Sequence, residues 1–287
     1  MSRTGIVVAT RDRHAELLRT LGELRRAAPE APITVVDNAS SDGTPEAVAA
    51  AHPDVRVLAL PRNLGAVARN LGVLCARTRY VAFSDDDSWW APGALGIAER
   101  CLDRHPRVGL LAARTLVGPH QRPDPVDELM AGSPLGTEDG LPGPSVLGFT
   151  ACSAVVRREA FLDAGGFSGV LSFVAEEKLL AQDLAARGWE LIYLSELVAH
   201  HHPSQFRPAG RSRAAQERRN NALIDWMRRP PAVIAERTRA LLRDALRDPA
   251  ARRAALGAAR RLPAALRERA PLDERTEQRV RLIEESA

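Results

Sequence analysis

YVAFSDDDSW, residues Tyr80 to Trp89, sets four apolar residues and a serine directly before three consecutive carboxylates, Asp85, Asp86 and Asp87. A short apolar run bounded by polar residues reads as a buried strand, here Tyr80 to Phe83. Acids just past such a strand stand where the loops of an open parallel sheet converge and where such sheets bind ligands. Three adjacent negative charges repel one another unless a cation neutralises them. A hard divalent ion shared with a diphosphate is the natural partner of carboxylate oxygens. The plainer reading is a solvated turn in which Asp87 or Ser88 caps a helix after Trp89-Trp90-Ala91-Pro92.

The residues before Tyr80 repeat one unit. Gly5 to Thr10 (GIVVAT) reads as a buried strand, and Leu17, Leu18, Leu21 and Leu24 mark one face of a helix from about His14 to Ala28. Strand Ile33 to Val36 ends in the turn-rich Asp37-Asn38-Ala39-Ser40-Ser41-Asp42-Gly43-Thr44, and a helix starts near Pro45. Strand Val55 to Leu60 precedes a Gly65-containing helix start and a helix to about Arg77. Strands alternating with crossover helices predict an α/β fold with a mainly parallel sheet covered on both faces.

Beyond the first 116 residues the pattern changes. Val117 to Ser145 holds six prolines and five glycines and reads as a long loop, a candidate lid or acceptor-recognition element. Regular structure resumes with Ala151 to Arg157, a helix near Glu159, the Gly165-Gly166-Phe167 break, a helix from about Glu176 to Arg187, and strand Glu190 to Leu194. After Pro203 the pattern is helical and Arg-rich, punctuated by Pro230-Pro231, Pro249, Pro263 and Pro271. Domains are therefore expected at 1–202, divided into 1–116, 117–145 and 146–202, with a helical segment at 203–287.

Composition narrows the class. The chain has 287 residues, 45% of them hydrophobic and 26% charged, which is enough for a sizeable core. No apolar stretch approaches the roughly 18 residues of a membrane span, and Met1 to Arg11 lacks the sections of a signal peptide. A cytoplasmic location is the expectation. Cys75, Cys101 and Cys152 have neither disulfide-framework nor zinc-ligand spacing. Net charge is +4, but from Pro203 onward 20 Arg stand against 11 Asp and Glu, so the tail is basic and the body acidic. Lys178 is the single lysine, which points to a compositional bias toward arginine and discounts nucleic acid as a partner. Three placements fit the tail: packing within the protein, a homodimer contact, or peripheral contact with an anionic membrane at its inner face. Leu223, Ile224, Trp226 and Met227 form an apolar patch that needs cover.

VVDNASSDGT (Val35 to Thr44), FSDDDSW (Phe83 to Trp89), VVRREAFLDAGGF (Val155 to Phe167) and EEKLLAQDLAARGW (Glu176 to Trp189) together resemble the family 2 glycosyltransferases of GT-A fold. The resemblance runs in order from about residue 4 to 202. It implies a metal-dependent, inverting transfer of one sugar from a UDP- or dTDP-sugar donor to a hydroxyl acceptor: a cell-wall glycan, a lipid-linked intermediate or a secondary metabolite.

The resemblance also implies roles. Asp37 falls on the acid that binds the nucleotide base, Asp85 on the ribose ligand and Asp87 on the ligand of Mg²⁺ or Mn²⁺. Thr10, Arg11, Asn38, Asn63, Gly65, Arg69 and Asp86 join the nucleotide-sugar-binding set. Arg69 reads equally well as facing the diphosphate or as part of a solvated helix face. An inverting transfer needs a base that takes the acceptor hydroxyl's proton. Glu177 falls on the family's aspartate and is the first choice, Glu176 the second, where the family commonly carries Glu-Asp. Both acids also suit a helix N-terminus. The family's histidine ligand falls on His201, but three consecutive histidines leave His200 and His202 open, since neighbours in an extended segment point to opposite faces.

Gln216-Glu217-Arg218-Arg219-Asn220 resembles the QxxRW motif of processive synthases with Asn220 in place of Trp, which favours single-sugar addition. Two rivals stand beside this reading. A nucleotidyltransferase would carry a glycine-rich loop after the first strand, where Thr10-Arg11-Asp12-Arg13 has no glycine. A catalytically silent nucleotide-sugar-binding protein would not need the acids at 85–87 and 176–177.

Overall fold

Alternate residues of the apolar runs part to opposite sides of one sheet, as the two-residue period of a strand requires. The computed structural model of the chain describes residues 2–204 and 210–286. The first half contains β1 (Thr4–Thr10), α1 (His14–Ala27), β2 (Ile33–Asp37), α2 (Thr44–Ala51), β3 (Arg56–Ala59), a 3-10 turn at Gly65–Val67, α3 (Ala68–Cys75) and β4 (Tyr80–Asp85). Ile6, Val8, Val35, Tyr80 and Ala82 pack on one face with Leu17, Leu21 and Leu24 of α1. Val7, Val36, Val81 and Phe83 pack on the other with Val73 of α3. Leu17, Leu21 and Leu24 are fully buried and Leu18 partly so, and full burial of such a side chain contributes about 1.5–3 kcal/mol.

The second half adds β5 (Ser88–Trp90), α4 (Ala94–Arg104), β6 (Val108–Val117), β7 (Arg122–Pro123), α5 (Pro125–Ala131), β8 (Ala154–Arg157), α6 (Arg158–Asp163), α7 (Glu176–Ala186) and β9 (Glu190–His201). Strand order is β3-β2-β1-β4-β8-β6-β9-β5, with β7 paired to the end of β6. The pairs β3/β2, β2/β1, β1/β4 and β6/β9 are parallel. β8 runs antiparallel between β4 and β6, and β5 is antiparallel to β9. The α/β fold is the expected GT-A arrangement: a parallel half carrying the ends of β1, β2 and β4, joined to a mixed half.

Three local expectations need correction. The Pro- and Gly-rich stretch from Val117 is partly ordered structure, because β7 folds back on β6 and Asp124 caps α5 by accepting a hydrogen bond from Val126 N at 2.9 Å. β9 does not stop at Leu194. Ser195 to Leu197 bulge out, pairing with β6 resumes at Val198 opposite Arg114, and His200 and His201 are its last strand residues. Pro263 breaks nothing and lies inside a helix, whereas Pro231 and Pro249 occupy first-turn positions where the missing N–H costs nothing.

That helix belongs to the C-terminal set α8 (Gly210–Arg228), α9 (Pro231–Ala245), α10 (Pro249–Arg267) and α11 (Glu274–Glu285). Leu223, Ile224 and Met227 of α8 are buried against Val170, Leu171 and Leu179, so the body covers this patch. Arg229, 1% exposed, bridges Glu277 at 2.9 Å and Glu284 at 2.7 Å on α11. Arg228 pairs with Asp183 of α7. Among the described residues no helix is long and apolar enough to cross a membrane.

Candidate active site

β4 ends with its carboxylates in three different environments. Asp85 is the most exposed of the three and is paired with the buried guanidinium of Arg69 on α3, while its backbone N–H donates to Ser88 Oγ at 2.7 Å. Asp86 turns under β1, accepting from Thr10 Oγ1 at 3.0 Å and from Arg13 at 3.1 Å. Burial pushes its carboxyl up to about 7 in spite of Arg13. Asp87 is 3.3 Å from His201 Nε2 and 3.5 Å from Arg13, and accepts from the Ser204 N–H at 3.2 Å. Burial alone would raise Asp87, but the His201 hydrogen bond and the nearby cations outweigh it and hold the carboxyl below its ordinary range.

The strand geometry of β9 separates the three histidines. β5 pairs with β9 so that Ser88 lies opposite His201 and Trp89 opposite His200. His201 therefore faces Asp87, whereas the rings of His200 and His202 lie against Trp89 at 5.7 and 4.7 Å. Asp87 and His201 bring a hard oxygen and an imidazole nitrogen together. This donor pair fits Mn²⁺, and Mg²⁺ less well, when substrate phosphates complete the shell. Among the described residues no three His, Cys, Asp or Glu side chains form a group able to hold an ion unaided.

At the end of β2, Asp37 is buried and its carboxylate holds the following turn through Ser40 N at 3.0 Å and the Ser40 hydroxyl. Asn38 reaches across to the 3-10 turn, accepting from Leu64 N at 2.9 Å. Asn63 is exposed and accepts from Gly65 N at 2.8 Å. Gly65 has φ +62°, and a Cβ there would lie 2.0 Å from the Ser172 carbonyl oxygen, so glycine is required by both conformation and contact. That carbonyl accepts from Ala66 N at 3.1 Å and ties the segment before α7 to the 3-10 turn that precedes α3.

Glu176 and Glu177 form the first turn of α7. Glu176 is 3% exposed and one of its carboxylate oxygens has no hydrogen-bond partner. Burial pushes Glu176 up; burial and then the charge of Glu176 push Glu177 up to about 7. Arg69 joins these acids to β4. Burial would lower its pKa, but the Asp85 charge dominates, with Glu177 and Glu176 adding to it, and raises it. Cys152, fully desolvated, is raised first by burial and then by the fields of Asp85 and Asp87. The carboxylates of β4, of the following turn and of α7 thus share one region around Arg69 and Cys152.

The helix preceding β4 therefore does not present Arg69 to solvent. Arg11 is half exposed and pairs with Asp12 at 3.3 Å, while Arg13 reaches Asp86 and Asp87. The period-two alternation of a strand does not extend past Thr10, so sequence spacing could not choose between Arg11 and Arg13. The left-handed φ of 52° at Asp12 turns the chain between them.

Residues 5–165 match the family model described as glycosyl transferase family 2. The N-acetylglucosaminyl-diphospho-decaprenol L-rhamnosyltransferase of Mycobacterium tuberculosis is 28% identical over 231 residues, covering 69% of this chain and 75% of its own. The structure is similar to the Pyrobaculum calidifontis mannosyltransferase PcManGT, solved with GDP-Man and Mn²⁺, with a TM-score of 0.60, 20% identity, and coverage of 93% of this chain and 73% of that one. It is similar also to S. aureus TarS in complex with UDP-GlcNAc, with a TM-score of 0.58, 18% identity, and coverage of 77% and 66%. At these identities the likeness to the solved structures is one of fold.

Proposed function

The chain belongs to glycosyl transferase family 2, and from that membership we propose a metal-dependent, inverting transferase that moves one sugar from a UDP- or dTDP-sugar to a hydroxyl acceptor. One observation supports this reading above the others: Arg69 pairs with Asp85 within the field of Glu176 and Glu177, so donor-side and acceptor-side carboxylates share one region. The M. tuberculosis relative is named for an acceptor carried on a diphospho-decaprenol, which favours a lipid-linked acceptor among the candidates.

In this proposal Asp37 and Asn38 receive the nucleotide base and Asp85 the ribose, with Thr10 and the Asn63–Gly65 segment closing over the nucleotide. Asp87 and His201 would hold Mn²⁺ or Mg²⁺. When bound, the ion supplies positive charge where the departing diphosphate gathers negative charge. Glu177 accepts the acceptor hydroxyl's proton as that oxygen bonds to the anomeric carbon and the bond to the diphosphate oxygen breaks on the opposite face. Attack from opposite the leaving group inverts the anomeric configuration. The raised pKa of Glu177 makes it a stronger base than an ordinary carboxylate, suited to work near neutral pH.

The test is a thermal-stability titration with UDP-glucose, UDP-GlcNAc, dTDP-rhamnose and GDP-mannose, each with and without Mn²⁺. A donor at 100 times its Kd adds about 2.7 kcal/mol. The expected result is a Mn²⁺-dependent rise with one pyrimidine nucleotide sugar, lost in Asp87→Ala. A rise with GDP-mannose alone would overturn the pyrimidine assignment, and a full rise in Asp87→Ala would overturn the metal site.

A further inference from the structure

The segment that delivers Glu176 and Glu177 to the site adopts a conformation its own sequence disfavours. Val174 has φ 72° and Ala175 φ 65°, two consecutive left-handed residues that are not glycine. A β-branched residue in this region is an outlier that persists only where surrounding structure imposes it. Ala175 is the residue before α7, and no side chain caps that helix. The turn therefore sets the direction of the first helical turn, where both acids lie, and no capping side chain holds it.

What holds it comes from the C-terminal helices. Asn220 of α8 is fully buried, and its Nδ2 donates to the Phe173 carbonyl at 2.8 Å and to the Val174 carbonyl at 2.6 Å. Its Oδ1 accepts from Arg219 Nε at 2.8 Å, which fixes the orientation of the amide. Arg261 of α10 donates to the Val170 carbonyl at 3.0 Å and to Ser172 Oγ at 3.4 Å. Val170 and Leu171 pack on Leu223, Ile224 and Met227 of α8. An amide is a costly choice for a fully buried position unless it satisfies groups with no other donor. Among the described residues Asn220 is the donor that the carbonyls of Phe173 and Val174 meet.

We propose that Asn220, supported by Arg261, is a positioning residue for transfer: it clamps the left-handed turn at Val174-Ala175 and so aims the carboxylates at the start of α7. This rests on the reading that those carboxylates act in transfer. The C-terminal helices are then part of the catalytic apparatus, and the position that matches Trp in the QxxRW pattern carries an amide because it must supply two N–H groups to the backbone.

The experiment compares Asn220→Leu, which keeps the volume and removes the donors, with Arg261→Met and Glu177→Gln. The readout is nucleoside diphosphate release from whichever UDP- or dTDP-sugar gives the largest thermal rise, together with amide hydrogen exchange. A displacement of about 1 Å costs up to 10²-fold in rate. The expected result for Asn220→Leu is a kcat lowered about 10- to 100-fold with donor KM within about threefold, and faster exchange confined to residues 172–179. Arg261→Met should show the same pattern more weakly, and it carries the test if Asn220→Leu does not fold. A kcat within twofold of the parent, or a loss matched by equal loss of donor binding and faster exchange throughout the chain, overturns the clamp. Full turnover by Glu177→Gln beside a slow Asn220→Leu overturns the choice of base and keeps the clamp. An inactive Glu177→Gln beside a fully active Asn220→Leu overturns the clamp and keeps the base.

Discussion

Gly65→Ala should damage both stability and turnover, and the size of the damage follows from two terms. Gly65 has φ +62°, where a Cβ costs about 1–2 kcal/mol. The added Cβ would stand 2.0 Å from the Ser172 carbonyl oxygen, a backbone atom with no rotamer to change. Restoring ordinary contact opens the two segments by more than an ångström and breaks the 3.1 Å hydrogen bond from Ala66 N, a further loss of about 0.5–1.5 kcal/mol. The sum is about 1.5–3.5 kcal/mol. At about 2–4 °C per kcal/mol for large domains, the Tm should fall by roughly 3–14 °C. Because Ser172 lies in the segment leading to α7, diphosphate release should drop by about one order of magnitude or more. Gly188→Ala isolates the conformational term: its φ is +80° with nothing within 4 Å of the added carbon, so it should lose only about 1 kcal/mol and keep its activity. Calorimetry and steady-state kinetics on both variants decide the matter. Equal Tm losses, or a Gly65→Ala protein with wild-type turnover, would refute the close approach of the two segments.

The remaining expectations concern charge. His201→Gln should abolish the Mn²⁺-dependent part of the donor-induced thermal shift while His202→Gln retains it, since only His201 faces Asp87. The rate of diphosphate release should rise with pH through about 7, because Glu177 must be ionised to accept a proton and its pKa is raised to about 7; a profile flat down to pH 5 would exclude it as the base. The same shift has a stability sign: a carboxyl raised in the folded state costs stability as pH climbs from its unfolded value toward 7. Glu177→Gln should therefore gain on the order of 1–3 kcal/mol at pH 8 and nothing at pH 4 in urea titrations. Arg229→Met removes a guanidinium shared by Glu277 and Glu284, which keep Arg281 and Arg237, and should cost about 1.5–3 kcal/mol, again read by urea unfolding.

The fold was legible because apolar strands and one-faced helices repeat with little interruption from Thr4 to Asp85, and periodicity is the signal that sequence carries best. Ile6 and Val7 point to opposite cores for the same reason. Turns that propensity would not choose hid the rest. Ser195-Glu196 reads as a strand end, yet neighbouring β6 supplies partners on both sides of a bulge and the strand continues. Arg13 rather than Arg11 meets Asp86 because Asp12 is left-handed, a conformation with no signature in a non-glycine residue. Nothing in Val174 or Ala175 announces the turn before α7, since its donors come from Asn220, some 46 residues away. Only the contact between α8 and that segment reveals them.

The basic tail is where composition and structure diverge most usefully. Many of its arginines are directed inward at carboxylates and carbonyls: Arg228 at Asp183, Arg229 at Glu277 and Glu284, Arg237 at Asp225 and Glu284, and Arg279 at Glu190. Arg261 and Arg269 donate to backbone carbonyls of Val170 and Trp226. Guanidinium suits this use because it is weakly hydrated and presents several donors in one plane. Arg228 and Arg279 thus join the tail to the acidic body, whereas the Arg229 and Arg237 pairs knit the tail to itself, and α7 meets the tail through Asp183 and Lys178. Its Glu176 and Glu177 lie within the field of Asp85, its Lys178 stands 3.9 Å from Glu284 of α11, and its Asp183 pairs with Arg228. Because burial raises both glutamates, with the Glu176 charge adding to it at Glu177 and the Asp85 charge at both, α7 would gain by moving its first turn toward water. Charge pairing farther along the same helix opposes that movement, so the tail stabilises the electrostatically unfavourable placement of two acids of raised pKa.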